Sequence, residues 1–232
     1  MKDEFISTAA HELRTPLASL MGYSEILRES GQYGDFTPEQ QQEFLDIIYQ
    51  KAEELSRIVD DLLDLTRIQS GERIILNRSP GDLGQLFREI VQAWQAEMVD
   101  NQFVLEIPEH PLKLEFDRTR ISQLMQNLLS NAVKFSHRGS IIRICARTRR
   151  HLCIISVVDD GIGMSSEDLL HIFDKFYRVD ASNTGYAGLG LGMAIVRQVV
   201  EAHGGKIRVH SRPGSGTRVT FSLPLRPLSQ RA

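Results

Sequence analysis

A chain of 232 residues, 41% hydrophobic and 25% charged, is long enough for one large domain or two small ones, each with its own core. No stretch nears eighteen consecutive apolar residues, and the start, Met1-Lys2-Asp3-Glu4-Phe5, lacks an apolar signal core; neither a transmembrane span nor secretion is expected. The net charge of −3 conceals an asymmetry: residues 1–70 hold 6 basic and 14 acidic side chains, residues 71–232 hold 21 and 16, and 10 of the 17 glycines fall within 159–232. An acidic, glycine-poor front and a basic-leaning, glycine-rich back predict two domains.

The front reads as helical. Apolar residues at Leu13, Leu17, Leu20 and Leu27 continue across Pro16. A turn cluster (Ser30, Gly31, Gly34, Asp35) follows, and Thr37-Pro38-Glu39-Gln40 looks like a helix start with proline in first position. The next helix carries Phe44, Ile48, Leu55, Val59, Leu62 and Ile68, with Ile47, Ile58 and Leu63 widening the stripe. Two helices of about thirty residues make an antiparallel hairpin whose stripe stays half covered, so a dimeric four-helix bundle is expected. Packing of the stripe onto the C-terminal half is the alternative.

Ser70-Gly71 ends the hairpin, and the period then alternates. Residues 74–76, 103–107 and 112–116 read as strands, and 83–98 and 118–135 as helices. Residues 141–147 and 152–159 read as a β-hairpin turning at 148–151. Residues 206–211 and 218–223 read as another, preceded by a helix over 191–203 that Gly204-Gly205 ends. The sum is an α/β two-layer sandwich. The boundaries are 1–70 for the helical domain, 71–80 for a linker and first strand, 81–226 for the sandwich, and 227–232 for a tail. Cys145 and Cys153, too few for a disulfide framework or zinc site, become cross-strand neighbours in a symmetric hairpin and stay thiols in a reducing cytoplasm. Trp94 is expected in the core. His203 fits a helix C-terminus that favours positive charge, and the other histidines of the back half lack ligand spacing.

Four segments could carry chemistry. Asp159-Asp160-Gly161-Ile162-Gly163 follows a strand: the glycines would let a flat ligand approach the backbone while Asp159 accepts a hydrogen bond, although Asp-Gly also makes plain turns. Gly188-Leu189-Gly190-Leu191-Gly192 opens a helix, freeing N–H groups to face an anion. It fits neither the P-loop nor the dinucleotide fingerprint. Asn127 and Asn131 share a helix face with Lys134 following. Two neutral oxygens and an ammonium suit a magnesium–triphosphate, and buried capping asparagines are the alternative. Last, His11 has Glu12 beside it and Thr15 one turn on, with Pro16 loosening the helix.

In order and spacing these segments resemble the catalytic core of a two-component sensor histidine kinase over residues 2–225. His11-Glu12-Leu13-Arg14-Thr15-Pro16-Leu17 resembles the phospho-acceptor box, and Asn127 to Phe135 the asparagine box. Val157 to Gly163 and Gly188 to Ile195 resemble glycine boxes, as does Gly214-Ser215-Gly216-Thr217; Ile172 to Arg178 resembles the phenylalanine box. The resemblance implies a dimerisation and phosphotransfer hairpin followed by a Bergerat-type ATP-binding fold of the gyrase–Hsp90–kinase–MutL superfamily.

It also implies residue roles. His11 would take the γ-phosphoryl group of ATP and pass it to an aspartate of a response regulator receiver domain, with Glu12 as base or orienting partner. Thr15 would position water for regulator dephosphorylation. Asn131 would bind Mg2+, Asn127 phosphate or metal, and Lys134 phosphate. Asp159 would accept from the adenine amino group, with Gly161 and Gly163 giving the ring clearance. Arg178 would reach the γ-phosphate, and Gly188, Gly190, Gly192 and Thr217 would complete the nucleotide site. Residues 164–190, with Ser182, Asn183, Thr184 and Gly185, would form a lid hinged at Phe173 and Phe176. Leu189 departs from the pattern, standing where many members have Thr or Ser. Ten residues before His11 are fewer than the first helix usually needs, so sensor and membrane segments are expected upstream of a cytoplasmic core. The partners implied are a second copy and a receiver domain, with neither nucleic acid nor membrane contact in this segment. A superfamily ATPase driving a clamp, and a nucleotide-binding scaffold without phosphotransfer, are the competing functions.

Overall fold

In the computed structural model, residues 2–29, 36–69, 74–98, 100–179 and 189–225 are described, with the side chains of residues 2–8, 61 and 64–69 outside the description. The chain forms two compact units that divide at Ser70–Gly71. In the first, α1 (Lys2–Arg28) and α2 (Pro38–Gln69) pack side by side. Helix α1 continues through Pro16, which has no N–H to give the Glu12 carbonyl. Helix α2 starts as its sequence dictates: the Gln40 N–H donates to Thr37 Oγ1 at 3.3 Å, and the Thr37 N–H donates to Gln40 Oε1 at 3.0 Å. This reciprocal capping box satisfies two donors that a bare helix end would orphan. Phe44 stacks with Tyr23 and Phe36 between the helices, at centroid distances of 5.5 and 5.2 Å. Met21 and Tyr49, 62% and 65% exposed, leave part of the apolar surface uncovered in the single chain. The turn residues 30–35 lie outside the described residues.

The second unit comprises β1 (Ser79–Asp82), α3 (Leu83–Glu97), β2 (Gln102–Glu106), β3 (Lys113–Phe116), α4 (Arg118–Phe135), β4 (Ile141–Arg149), β5 (Leu152–Asp159), α5 (Ser166–His171), α6 (Gly192–Ala202), β6 (Lys206–Ser211) and β7 (Thr217–Pro224). Five strands form one sheet in the order β2-β4-β5-β7-β6, parallel between β2 and β4 and antiparallel elsewhere; β1 and β3 pair separately. Strand alternation sends Ile142, Ile144, Cys153, Ile155, Val157 and Phe221 to one face, where they are buried with Phe87, Leu124, Leu128 and Val196 of the covering helices. Each such side chain contributes roughly 1.5–3 kcal/mol on burial. Trp94 joins this core and donates its indole N–H to Gln126 Oε1 at 3.0 Å.

Three expectations change. Residues 74–76 are not a strand: Ile74 is buried, Ile75 is 89% exposed, and the first strand starts at Ser79. A short β-branched run signals half-burial as readily as pairing. The hairpin turns on two residues, Arg150 (φ 55°) and His151, setting Cys145 opposite Ser156 and Cys153 opposite Thr148, so the cysteines are not cross-strand neighbours. The span 164–190 read as a lid contains the capped helix α5, and its residues 180–188 lie outside the described residues. Finally, His203 is not a charged helix end. It is buried, accepting from the Asp117 N–H at Nε2 (3.1 Å) and donating from Nδ1 to the Val199 carbonyl (2.8 Å). One partner can only donate and the other only accept, so the ring is neutral and its tautomer fixed.

Burial is the main cause holding the His203 pKa below its ordinary value, assisted by the Arg78 charge and opposed by the Val199 bond and the Asp117 carboxylate. The folded ring therefore binds fewer protons than the unfolded one, and stability falls as pH drops below about 6.5 toward the depressed folded value. Thermal melts between pH 7.5 and 5.5 will show a melting temperature that decreases with pH, and less steeply in His203→Gln.

Candidate functional site

The end of β5 organises a pocket floor. Asp159 Oδ1 accepts the Gly161 N–H at 3.0 Å and the Thr217 N–H at 3.1 Å, leaving Oδ2 without a hydrogen bond among the described residues. Burial, the largest influence, raises the Asp159 pKa above the usual carboxylate value; the two N–H groups pull it down, and Asp160 pushes it up. Backbone packing here leaves no room for side chains. A Cβ on Gly161 would stand 2.3 Å from the Phe135 carbonyl oxygen, and one on Gly163 (φ 68°) 1.9 Å from that of Arg212. The turn before Thr217 closes on the same point: the Gly214 N–H donates to the Ile162 carbonyl at 2.7 Å, and the Thr217 hydroxyl bonds Ser211 Oγ at 3.0 Å.

Helices α4 and α6 meet at Asn127. This residue is half-buried, but its Nδ2 is shielded from solvent and has no hydrogen-bond partner among the described residues. A Cβ on Gly192, the first residue of α6, would lie 3.6–3.8 Å from the Asn127 amide group. Leu191 at the N-cap of α6 supplies no side-chain bond to the first N–H groups. An orphaned buried donor beside an uncapped helix N-terminus calls for an anionic acceptor. A phosphate group of a nucleotide supplies one, so the residues present fit this ligand. Asn131, one turn past Asn127, is half-buried and offers a neutral oxygen of the kind Mg2+ takes together with phosphate. Lys134 lies half-buried with its Nζ 5.3 Å from the Phe135 ring centroid.

The structure brings Asp159, Gly161, Gly163 and Thr217 together at the end of β5, and sets Gly192, at the start of α6, against Asn127 in the middle of α4. Gly190, at φ 67°, packs on the backbone of Phe176 and Tyr177, and its carbonyl accepts the Phe176 N–H at 3.1 Å. Phe176 itself adopts φ 68°, a costly conformation for a side chain of its size. The Tyr177 hydroxyl donates to Asp168 Oδ1 at 2.8 Å, tying this segment to α5, and Phe173 lies under Arg197 at 5.8 Å. Arg178 is half-buried; Gly188 and residues 182–185 lie outside the described residues. On α1, His11 and Thr15 are exposed and Glu12 half-buried, and the Thr15 hydroxyl donates to the His11 carbonyl at 3.2 Å.

Sequence reasoning missed three residues here. Gly216 (φ 73°), where a Cβ would sit 2.0 Å from the Asp159 carbonyl oxygen, was visible only as part of its box. Asp117 caps α4 by accepting the Arg120 N–H at 3.0 Å; an aspartate directly before an apolar-periodic run is the signal that could have found it. Ser136, at the other end of α4, holds a buried hydroxyl without a hydrogen-bond partner among the described residues, and no sequence signal marks it.

Comparison with known proteins follows this division. The family described as "His Kinase A (phospho-acceptor) domain" matches residues 1–71, and that described as "Histidine kinase-, DNA gyrase B-, and HSP90-like ATPase" matches residues 116–227. The sensor histidine kinase WalK of Bacillus subtilis is 35% identical over 95% of this chain and 36% of its own length. The WalK sensor protein kinase of Staphylococcus aureus is 34% identical over 95% of this chain and 53% of its own length. The chain thus spans between about a third and a half of these relatives. Among solved structures, the Acinetobacter baumannii histidine kinase AdeS aligns over 94% of this chain and 98% of its own, at 25% identity and a TM-score of 0.64. Full-length ShkA in complex with AMPPNP aligns over 96% of this chain and 45% of its own, at 26% identity and a TM-score of 0.66.

Two substitutions separate the floor's architecture from its recognition. Gly163→Ala will destabilise the second unit by at least about 2 kcal/mol in denaturant titration, because strain and a backbone clash coincide. Asp159→Asn will fold with a similar midpoint but bind adenine nucleotide about ten- to a hundredfold more weakly by calorimetry, since the free carboxylate oxygen is lost as acceptor.

Proposed function

We propose that this chain, which belongs to the sensor histidine kinase family, is an ATP-dependent protein-histidine kinase core that phosphorylates itself on His11. The observation that carries the nucleotide half is the buried Asn127 Nδ2, unpartnered among the described residues, beside the start of α6, which no side chain caps. The phosphotransfer half rests on the exposed His11 with Glu12 as its neighbour. ShkA, an aligned structure, is described as a complex with AMPPNP, a nucleotide of the same class.

In this reading Asp159 accepts from the adenine amino group while Gly161 and Gly163 admit the ring. Asn127 and the first N–H groups of α6 bind phosphate oxygens, Lys134 and Arg178 supply cationic charge, and Thr217 holds the Asp159 carboxylate in place. Asn131, with Asn127, holds Mg2+, which when bound neutralises phosphate oxygens and aligns the chain for transfer. The unprotonated ring nitrogen of His11 attacks the γ-phosphorus, forming a P–N bond as the bond to the β–γ bridging oxygen breaks and ADP leaves. The proton on the other ring nitrogen passes to Glu12, which also holds the tautomer. The phosphoryl group then moves to an aspartate of a receiver domain.

The helical unit is read as residues 1–70 and the ATP-binding unit as 81–226, with 71–80 between them. The uncovered Met21 and Tyr49 support a dimeric four-helix bundle. Thr15 is read as the residue that positions water for receiver dephosphorylation; its hydroxyl hydrogen is engaged with the His11 carbonyl, which leaves its oxygen lone pairs to accept from water. ATP supply and the free thiols Cys145 and Cys153 suit a cytoplasmic setting.

Incubation with γ-labelled ATP will give acid-labile, base-stable label on the protein, absent from His11→Gln. Release of free phosphate without protein label would instead indicate an ATPase, and nucleotide binding without either would indicate a scaffold. Thr15→Ala will retain autophosphorylation while dephosphorylating the receiver at least about tenfold more slowly, as expected when one positioning group for the attacking water is removed.

A further inference from the structure

Helices α4 and α6 pack against each other, antiparallel, between two points of close polar or backbone approach. At one end Gly192 abuts Asn127; at the other, His203, directly after α6, accepts the N–H of Asp117, the N-cap of α4, at 3.1 Å. The Asn127 end has no hydrogen bond to hold it, because Nδ2 is unpartnered and Leu191 caps nothing. The far end is held by several. Asp117 spends Oδ1 on the Arg120 N–H and Oδ2 on the Asn77 N–H (2.8 Å), while the Arg78 guanidinium donates to the Ala202 carbonyl at 2.7 Å. The chain entering the second unit is thus fastened to the ends of both helices. His203 is held in turn: the Gly204 N–H donates to the Glu201 carbonyl and the Gly205 N–H to that of Val200, both at 2.9 Å, with Gly204 at φ 81°.

Helix pairs meeting through apolar side chains are held in register by packing alone, and neighbouring arrangements differ by one ridge. A directional bond between two backbone-anchored groups removes that freedom. From Asp117 to Asn127 is ten residues, about 15 Å of helix, so a shift at the joint carries undiminished to the amide that faces phosphate. We infer that His203 is a positioning residue for the nucleotide site: its bond to the Asp117 N–H fixes the α4–α6 register that sets Asn127 against Gly192. This rests on the nucleotide reading proposed above. A leucine here fills space but leaves the Asp117 N–H buried and unpaired, whereas glutamine retains an acceptor oxygen at the end of a side chain of similar reach.

The test measures Mg2+-dependent ADP affinity by calorimetry for wild type, His203→Leu and His203→Gln in the whole chain. His203→Leu will bind about tenfold or more weakly, and His203→Gln within about threefold of wild type. Equal affinity in all three overturns the inference, as does an equal loss in both variants, which would mean that ring packing alone matters. Failure of wild type to bind ADP would instead defeat the nucleotide reading. Should His203→Leu not fold, hydrogen exchange in wild type decides: saturating ADP will slow exchange at the Asp117 and Arg120 amides, because coupling between two sites is reciprocal. Unchanged exchange there, with protection confined to the region of Asn127, overturns it.

Discussion

The close approach of backbone to backbone around Asp159 is the constraint on which the second unit depends. The end of β5, the turn at 161–163, the end of α4 and the turn before β7 meet where glycine alone fits: Gly161 lies against the Phe135 carbonyl, Gly163 against Arg212, and Gly216 against Asp159 itself. Each contact brings an N–H or carbonyl into a fixed position without an intervening side chain. The result is a carboxylate held by two N–H groups with one oxygen left to a ligand. The glycine excess noted in 159–232 is therefore a packing requirement as much as a source of flexible turns.

That floor gains chemical meaning only because α4 and α6 stand beside it with unmet polar demand. An unpaired amide on Asn127 and uncapped N–H groups at the start of α6 would each cost stability in an apolar setting. Together they are what the proposed nucleotide reading would satisfy with phosphate. The opposite ends of the same helices are fully satisfied through Asp117, His203 and the Schellman-type close at Gly204–Gly205. One end of the pair is built for stability and the other for binding, and the basic-leaning charge of the back half suits the polyanion that the binding end admits.

What was legible in the sequence follows the physics of its signals. Long periodic elements stood out, so α2 with its Thr37–Pro38 start, α4, and β4 through β7 were readable from spacing and punctuation. The boxes around Asn127, Asp159 and Gly192 were readable as motifs, and Gly192 lies against the Asn127 amide. Short-range signals failed where tertiary context decides. Ile74–Leu76 has strand composition, but its neighbour Asn77 gives its N–H to a helix cap. The six-residue α5 is too short to show a period. The cysteine register depended on a two-residue turn opened by an arginine at positive φ, which composition does not announce. A helix C-terminus predicts charge at His203, whereas its partners, one 86 residues back along the chain and the other one turn back, demand a neutral ring.

In the function proposed for this chain, one residue is the chemical end point: a ring nitrogen of His11 receives the phosphoryl group. Phosphorus–proton correlation NMR of the protein after incubation with Mg2+ and ATP tests this directly. One protein-bound phosphorus resonance coupled to the imidazole ring protons of His11 is the expected result. ATP converted to ADP and free phosphate with no such coupling, or a phosphorus attached to any other side chain, would contradict it.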